Sequence, residues 1–134
     1  MEDYQDDPAI LDEAVLLRRV PRQMLKLDEA NKTVRPTSQA FNDSSDGSPR
    51  SVQLEHLLPD GAADALAGHA GVFLVALPAR EVRRLGFQIA SKPRVPGEPA
   101  HAWVVGKKTQ SLRTRLAKLA QWTVRFPTEG DLPS

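Results

Sequence analysis

The chain has 134 residues, of which 40% are hydrophobic and 26% are charged, and its formal net charge is +1. This size and composition are typical of one globular domain with a sizeable core, and the small net charge argues against a dedicated nucleic-acid binder. The absence of cysteine excludes a disulfide framework, thiolate catalysis and sulfur-ligated zinc, and it fits a reducing compartment. No apolar stretch approaches the roughly 20 residues that span a bilayer, and the acidic N-terminus is unlike a secretory signal. We therefore expect a cytoplasmic protein that does not enter a membrane.

Charge is unevenly distributed along the chain. Residues 107–125 contain six Lys or Arg and no acid. The acids that precede any basic residue are Glu2, Asp3, Asp6, Asp7, Asp12 and Glu13. We interpret these regions as a solvated acidic tail and a solvated helix face, with a partner-binding tail as the alternative. The expected organisation is a mobile acidic tail over residues 1–7, one domain over 8–127 and a mobile C-terminal tail over 128–134.

In the first half of the chain the pattern favours short elements. Asp7 as N-cap and Pro8 at the first helical position predict a helix of one or two turns. Pro21 separates two apolar segments, which we interpret as two short strands or one bent edge strand (14–20 and 23–27). A turn at 28–32 and a return over 33–35 predict a hairpin. Residues 42–49 predict an exposed loop that lacks the ligand pattern of an EF-hand.

The second half alternates strands with helices. The predicted strands are 51–55, which continues into a helical turn, the buried central strand 71–77, and the strands 87–91, 101–105 and 122–126. The predicted helices are 62–67, ended by Gly68, then 78–84, stopped by Gly86, and a longer helix over 109–121. Residues 92–99 form a stiff proline-rich connector.

These elements predict a single α+β domain with a mainly antiparallel sheet, two or three short helices and one longer C-terminal helix. We expect the core to combine the strands 71–77 and 101–105 with the leucine face of the last helix. Its predicted members are Phe73, Val75, Trp103, Val105, Leu112, Leu116 and Leu119.

The segment 98–109 is the most natural place for an anion site. Gly106 ends a strand, and Lys107 and Lys108 lie at the start of the last helix, where free N–H groups carry partial positive charge. A P-loop is excluded, because His101 occupies the position of its first glycine. The candidate anion-binding residues are Lys107, Lys108, His101, His69, Arg35 and Ser38. The alternatives are solvated lysines and a core histidine with satisfied hydrogen bonds.

The histidines do not follow a metal-binding pattern. His56, His69 and His101 lack the spacing of a metal motif, and no Ser lies in a Gly-x-Ser-x-Gly elbow. The sequence therefore predicts no metal, no cofactor and no complete catalytic set.

Several short motifs occur along the chain in a distinctive order. Leu-Leu-Arg-Arg-Val at 16–20, Arg-Pro-Thr-Ser-Gln-Ala-Phe at 35–41, Gly-His-x-Gly at 68–71 and Glu-Pro-Ala-His-Ala-x-Val-x-Gly at 98–106 occur in this order, with Asp46-Gly47 and Ser51-Val52 between the second and the third. In these the chain resembles a family of small uncharacterised bacterial proteins, a resemblance that implies no activity. A more limited similarity is to ADP-ribosyltransferase-like domains, in which an early strand with Arg precedes a polar loop and a further strand. Tyr4 is the only tyrosine and no clear His-Tyr-Glu set is present, so no catalytic role is transferred.

Two functions remain open at this stage. We favour a non-catalytic accessory or interaction component of a bacterial multi-protein system, whose partner is another protein. The alternative is a small enzyme or binding domain that acts on a nucleotide or another anionic ligand at the candidate residues.

Overall fold

A six-stranded antiparallel sheet dominates the structure, a computed structural model that describes residues 4–45 and 47–133. The strands are β1 (Val15–Val20), β2 (Leu25–Asp28), β3 (Thr33–Pro36), β4 (Arg50–Leu54), β5 (Phe73–Pro78), β6 (Gln88–Ala90), β7 (His101–Val105) and β8 (Gln121–Thr123). The main sheet has the order β6-β7-β4-β1-β5-β8, and β2 pairs with β3 in a separate hairpin. The predicted α+β class and mainly antiparallel sheet are confirmed.

Three α-helices accompany the strands in the described part of the chain: α1 (Ala62–Leu66), α2 (Ala79–Arg84) and α3 (Gln110–Leu119). The longest, α3, begins where Thr109 Oγ1 accepts a hydrogen bond of 3.2 Å from Leu112 N. Gly86 follows α2 with a φ of 98°, a left-handed conformation that only glycine adopts without strain. None of these helices is both long and apolar enough to cross a membrane.

The first strand lies in the middle of the sheet and not at its edge. β1 pairs with β5 through Leu16↔Leu77 and with β4 through Leu16↔Leu54. Of the two interpretations of this region, two short strands is confirmed by β1 and β2, and one bent edge strand is wrong. Pro21 is compatible with a central strand because it follows the last residue of β1 and occupies no ladder position.

The predicted opening helix after Asp7 does not form. The Asp7 side chain accepts a hydrogen bond of 2.9 Å from Ala9 N, as a helix cap would, but the chain makes only turns up to Glu13. Asp7 N instead donates to Ile89 O at 2.8 Å, and Arg83 binds Asp6 and Asp12 on either side of the turn. Tertiary contacts thus override the local helix signal.

The main core lies between one face of the sheet and α2, α3 and the hairpin. Its largest fully buried side chains come from alternate positions of β1 and β5 and from α3, as a half-covered antiparallel sheet requires. They include Leu16, Val20, Phe73, Val75, Leu77 and Leu116. A smaller cluster on the opposite face joins Leu17 and Leu74 to Ala65 of α1.

Two members of the predicted core lie on the wrong face. In β7, Ala102 and Val104 point into the main core at 0% and 3% exposure, whereas Trp103 and Val105 are only partly buried. Side chains alternate between the two faces of a strand, so placing Trp103 and Val105 in the core meant placing Ala102 and Val104 outside it. The other five predicted members, Phe73, Val75, Leu112, Leu116 and Leu119, belong to the main core or pack against it.

Both ends of the domain make specific contacts. The Tyr4 ring packs edge-on against Trp103 with centroids 5.5 Å apart. At the other end, Arg22 donates to the carbonyl oxygens of Asp131 at 2.7 Å and Leu132 at 3.1 Å. Residues 1–3 and 134 of the expected tails lie outside the described residues.

Candidate functional site

The start of α3, where the anion site was expected, is occupied by contacts within the protein. Lys108 Nζ donates to Asp43 Oδ1 at 2.7 Å and to the carbonyl oxygens of Val104 at 2.8 Å and Gly106 at 3.2 Å. The Lys108 side chain is 2% exposed. Burial lowers its pKa, and the carboxylate of Asp43 opposes that shift. Lys108 is therefore a structural cation that fastens the loop 42–49 to the end of β7.

The remaining groups at this helix start offer little to a ligand. Thr109 caps the helix, and Lys107 is exposed. Ser38 lies nearby and accepts a hydrogen bond of 3.0 Å from Gln110 Nε2. The three groups form an ordinary capped helix terminus on the surface.

Arg35 lies at the other end of the same helix. Its Nη2 donates to the carbonyl oxygens of Ala117 at 2.7 Å and Ala120 at 2.6 Å, which are among the unpaired acceptors at the C-terminus of α3. Burial lowers the pKa of Arg35. The ten residues of α3 separate this arginine from Lys107 by about 15 Å.

The two candidate histidines are not brought together with the lysines or with each other. His101 is 9% exposed on the outer face of β7, with its ring centroid 4.3 Å from that of Trp103. Burial lowers its pKa, Glu98 opposes the shift, and Arg19 reinforces it. His69 is exposed in the loop before β5. Because β4 and β1 lie between β7 and β5, those strands are about 14 Å apart, so the two histidines do not share one site.

Sequence reasoning missed a partly buried arginine on the core face of β1. Arg18 Nε donates to Ala40 O at 3.1 Å, and no described carboxylate forms an ion pair with the guanidinium. Burial lowers the pKa of Arg18 to about 9, and the charges of Arg50 and Arg19 add to the effect. The sequence did indicate this position, because Arg18 lies two residues from both Leu16 and Val20 and so shares their face of the strand.

This arginine does not line a ligand pocket. The space enclosed by Arg18, Arg50 and Lys108 has a volume of about 10 Å³. That is room for roughly one water molecule. Among residues 4–45 and 47–133, no group of three or more His, Asp or Glu could hold a metal ion.

The two edges of the main sheet differ. At β6, the N-terminal segment closes the edge: Asp7 N donates to Ile89 O at 2.8 Å, and Ile89 N donates to Asp6 Oδ1 at 2.9 Å. At the opposite edge, β8 pairs only with β5 in the described part of the chain. β8 is only three residues long, and short edge strands are one of the ways in which natural proteins limit pairing with another chain, so the edge open to a partner strand is small.

Apolar side chains directly follow the open edge. Val124 is 64% exposed and has a φ of 76°, which is strained for a β-branched residue, and Phe126 is 74% exposed. Between them, Arg125 lies over the Phe73 ring with 4.1 Å from its guanidinium carbon to the ring centroid. We call Val124, Arg125 and Phe126 the C-terminal patch. It adjoins a groove of about 480 Å³ that Trp122, Phe126 and Pro127 help to line.

A second apolar surface lies at the start of the domain. Leu11 is 62% exposed there. The groove beside it, of about 490 Å³, is lined by Ala9, Leu11, Ala14 and Val15 with Glu13, Glu55 and His56. We call it the N-terminal groove. Its apolar floor and its two carboxylates distinguish it from the basic C-terminal patch.

The prediction of a strand over 122–126 concealed the C-terminal patch. Pairing ends at Thr123, and the positive φ of Val124 turns the chain away from the sheet. The apolar character of Val124 and Phe126 was visible, but it was assigned to a last strand that closes the domain. No protein-family model matches the chain, and comparisons with curated proteins and with solved structures also find no match.

Proposed function

We propose that this chain is a non-catalytic accessory component of a bacterial multi-protein system in the cytoplasm, and that it binds another protein through the C-terminal patch. One observation carries the proposal. Val124 and Phe126 are 64% and 74% exposed directly beside β8, the edge strand that pairs with β5 alone among the described strands. Fully burying side chains of this size contributes roughly 1.5 to 3 kcal/mol each, which is enough to make such residues binding anchors.

The strained backbone at Val124 supports the same proposal. A β-branched residue at positive φ costs on the order of 1 to 3 kcal/mol, and such strain persists where the surrounding structure holds it. Here it separates the end of β8 from Phe126 and presents both apolar side chains to solvent. The open edge adds backbone N–H and C=O groups with which an extended segment of a partner can pair.

The alternative, a nucleotide-binding or anion-binding domain, receives no support from the candidate residues. Lys108 and Arg35 bind groups of this chain, and His69 and His101 lie on strands or loops that do not meet. Lys108 and Arg35 hold the fold together through these contacts, which is the ordinary role of partly buried polar side chains.

Site-specific photo-crosslinking in the cells that naturally make the protein tests the proposal. Benzoylphenylalanine replaces Phe126 in one variant and, as the control, the exposed Lys107 in another. We expect a discrete adduct with one protein from position 126 and not from position 107. Identical adducts from both positions, or none from position 126, would contradict the proposal.

A thermal-shift screen with nucleotides, including NAD, provides the complementary result. A ligand at about one hundred times its dissociation constant stabilises a protein by about 2.7 kcal/mol. Stabilisation of that size by one nucleotide would favour the alternative function. We expect unchanged melting temperatures.

A further inference from the structure

We propose that the N-terminal groove of one molecule receives the C-terminal patch of a second copy of this chain, so that the protein associates head to tail. This inference rests on the proposed function, because it uses the same patch and identifies the partner. The two surfaces complement each other in both polarity and charge, and their positions in the sheet exclude contact within one molecule.

The chemical match is between an apolar, basic projection and an apolar, acidic groove. Phe126 and Val124 project from the patch at 74% and 64% exposure, with Arg125 between them. The groove is an apolar concavity with Glu13 and Glu55 among its lining residues. Aromatic and arginine side chains in a desolvated pocket are the usual anchors of protein interfaces.

The charges of the groove are accessible to a partner. Glu13 makes an exposed pair of 3.4 Å with Arg80, an interaction of the kind that contributes little in solvent. Glu55 forms no ion pair with any residue that the structure describes. On the patch, Arg125 also forms no ion pair with a described carboxylate, although Asp131 is close enough to feel its charge. A guanidinium approaching the groove would therefore meet Glu55 without a described competing cation, and Glu13 only in exchange for its exposed contact with Arg80.

The sheet register places the two surfaces at opposite ends. Val15, which lines the groove, pairs with Pro78 at the end of β5, whereas Thr123, which precedes the patch, pairs with Leu74 near its start. Four residues of strand separate these pairs by about 13 Å. A molecule that carries a projection at one end and its receptor at the other forms heterologous contacts, which generate rings or open chains.

Mixing two variants with one blocked surface each gives the decisive test. Phe126→Asp blocks the patch, and Leu11→Asp blocks the groove. Because both residues are exposed, the melting temperature and circular dichroism of each variant should match those of the wild type. In sedimentation velocity up to about 1 mM, where even an interaction of about −4.1 kcal/mol is visible, the wild type should form species larger than dimers. Each variant alone should be monomeric, and their equimolar mixture should form a dimer and nothing larger.

Charge reversal tests the pairing of the groups. Glu55→Lys and Arg125→Glu should each weaken association at least about tenfold, which corresponds to about 1.4 kcal/mol, and a mixture of the two should regain part of it. A wild-type protein that stays monomeric to about 1 mM, or blocked variants that fail to dimerise when mixed, would overturn the inference. Should position 126 then still crosslink to a different protein, the proposed function would stand and self-association alone would be rejected.

Discussion

Lys108 Nζ lies 2.7 Å from Asp43 Oδ1, and this contact joins the loop before β4 to the end of β7. The sequence placed Lys108 among exposed ligand-binding residues, and on that basis its removal with Lys107 should leave the fold intact. The structure corrects this expectation, because the Lys108 side chain is 2% exposed and also donates to the carbonyl oxygens of Val104 and Gly106.

We therefore expect the two neighbouring lysines to behave differently when each is replaced by alanine. Lys108→Ala leaves two carbonyl groups and the Asp43 carboxylate without their donor and should lower the free energy of unfolding by about 1 to 3 kcal/mol. Lys107→Ala, at an exposed position, should change it by less than about 0.5 kcal/mol. Urea denaturation of both variants measures the difference. Equal stabilities would mean that Lys108 has no structural role.

Arg18 should give stability an unusual dependence on alkaline pH. Burial lowers the pKa of Arg18 from the ordinary value of an arginine to about 9 in the folded state. Between these values the unfolded chain binds more protons than the folded chain, so the free energy of unfolding should rise with pH above about 9, by at most about 1.4 kcal/mol per pH unit. Urea denaturation from pH 8 to 10.5 checks this.

Two variants distinguish the contribution of Arg18 to the pH dependence of stability from that of the other basic side chains. Arg18→Met should lose the rise that the wild type shows above pH 9, whereas Arg84→Met, which removes an exposed arginine, should retain it. Parallel pH profiles for wild type and Arg18→Met would show that the guanidinium stays charged throughout.

A side chain at position 106 should lower the free energy of unfolding. A Cβ atom at this position would lie 2.7 Å from Cδ1 of the buried Phe87, and the φ of 148° disfavours other residues. Gly106→Ala should therefore cost about 1 to 3 kcal/mol through overpacking and strain. Gly86→Ala has a positive φ but nothing within 4 Å of its Cβ, so it isolates the strain component. A cost at Gly106 no larger than that at Gly86 would rule out the clash with Phe87.

Arg83 should control whether the N-terminal segment stays on the β6 edge. Its guanidinium binds Asp6 at 3.1 Å, Asp12 at 2.8 Å and the carbonyl oxygen of Asp7 at 3.1 Å. Arg83→Ala leaves these acids without their cation, so amide exchange should become faster in residues 5–12 and 88–90 and remain slow in β1. Arg84→Ala is the matched control on the same helix. Unchanged exchange in residues 5–12 would show that the backbone bond between Asp7 and Ile89 suffices.

Acid should release the same segment. The hydrogen bond from Ser91, together with that from Ala9, lowers the pKa of Asp7 below 3.8. A carboxylate with a depressed pKa contributes stability above its unfolded value and loses it as the pH falls through the folded value. Exchange in residues 5–12 should thus accelerate below about pH 3.8, and Asp7→Asn should remove that part of the pH dependence.

The sequence predicted most strands and helices because their signals are local. Hydrophobic runs such as 71–77 and glycines such as Gly68 and Gly86 mark elements and ends without reference to the rest of the fold. The central position of β1 and the contact of Lys108 with Asp43 depend on residues more than thirty positions away, which local patterns do not contain. The orientation of Trp103 was predicted wrongly because the larger side chains Trp103 and Val105 were assigned to the core face of the strand, which Ala102 and Val104 occupy.

The strand order also determines when each surface can form during synthesis. β1 is made first but must wait for β4 and β5, and β8 joins last by pairing with β5. Until β8 pairs, the edge of β5 is uncovered and the C-terminal patch does not exist, so a growing chain cannot engage a partner through it. The proposed association would therefore follow completion of the sheet, and unfinished chains would be kept out of it.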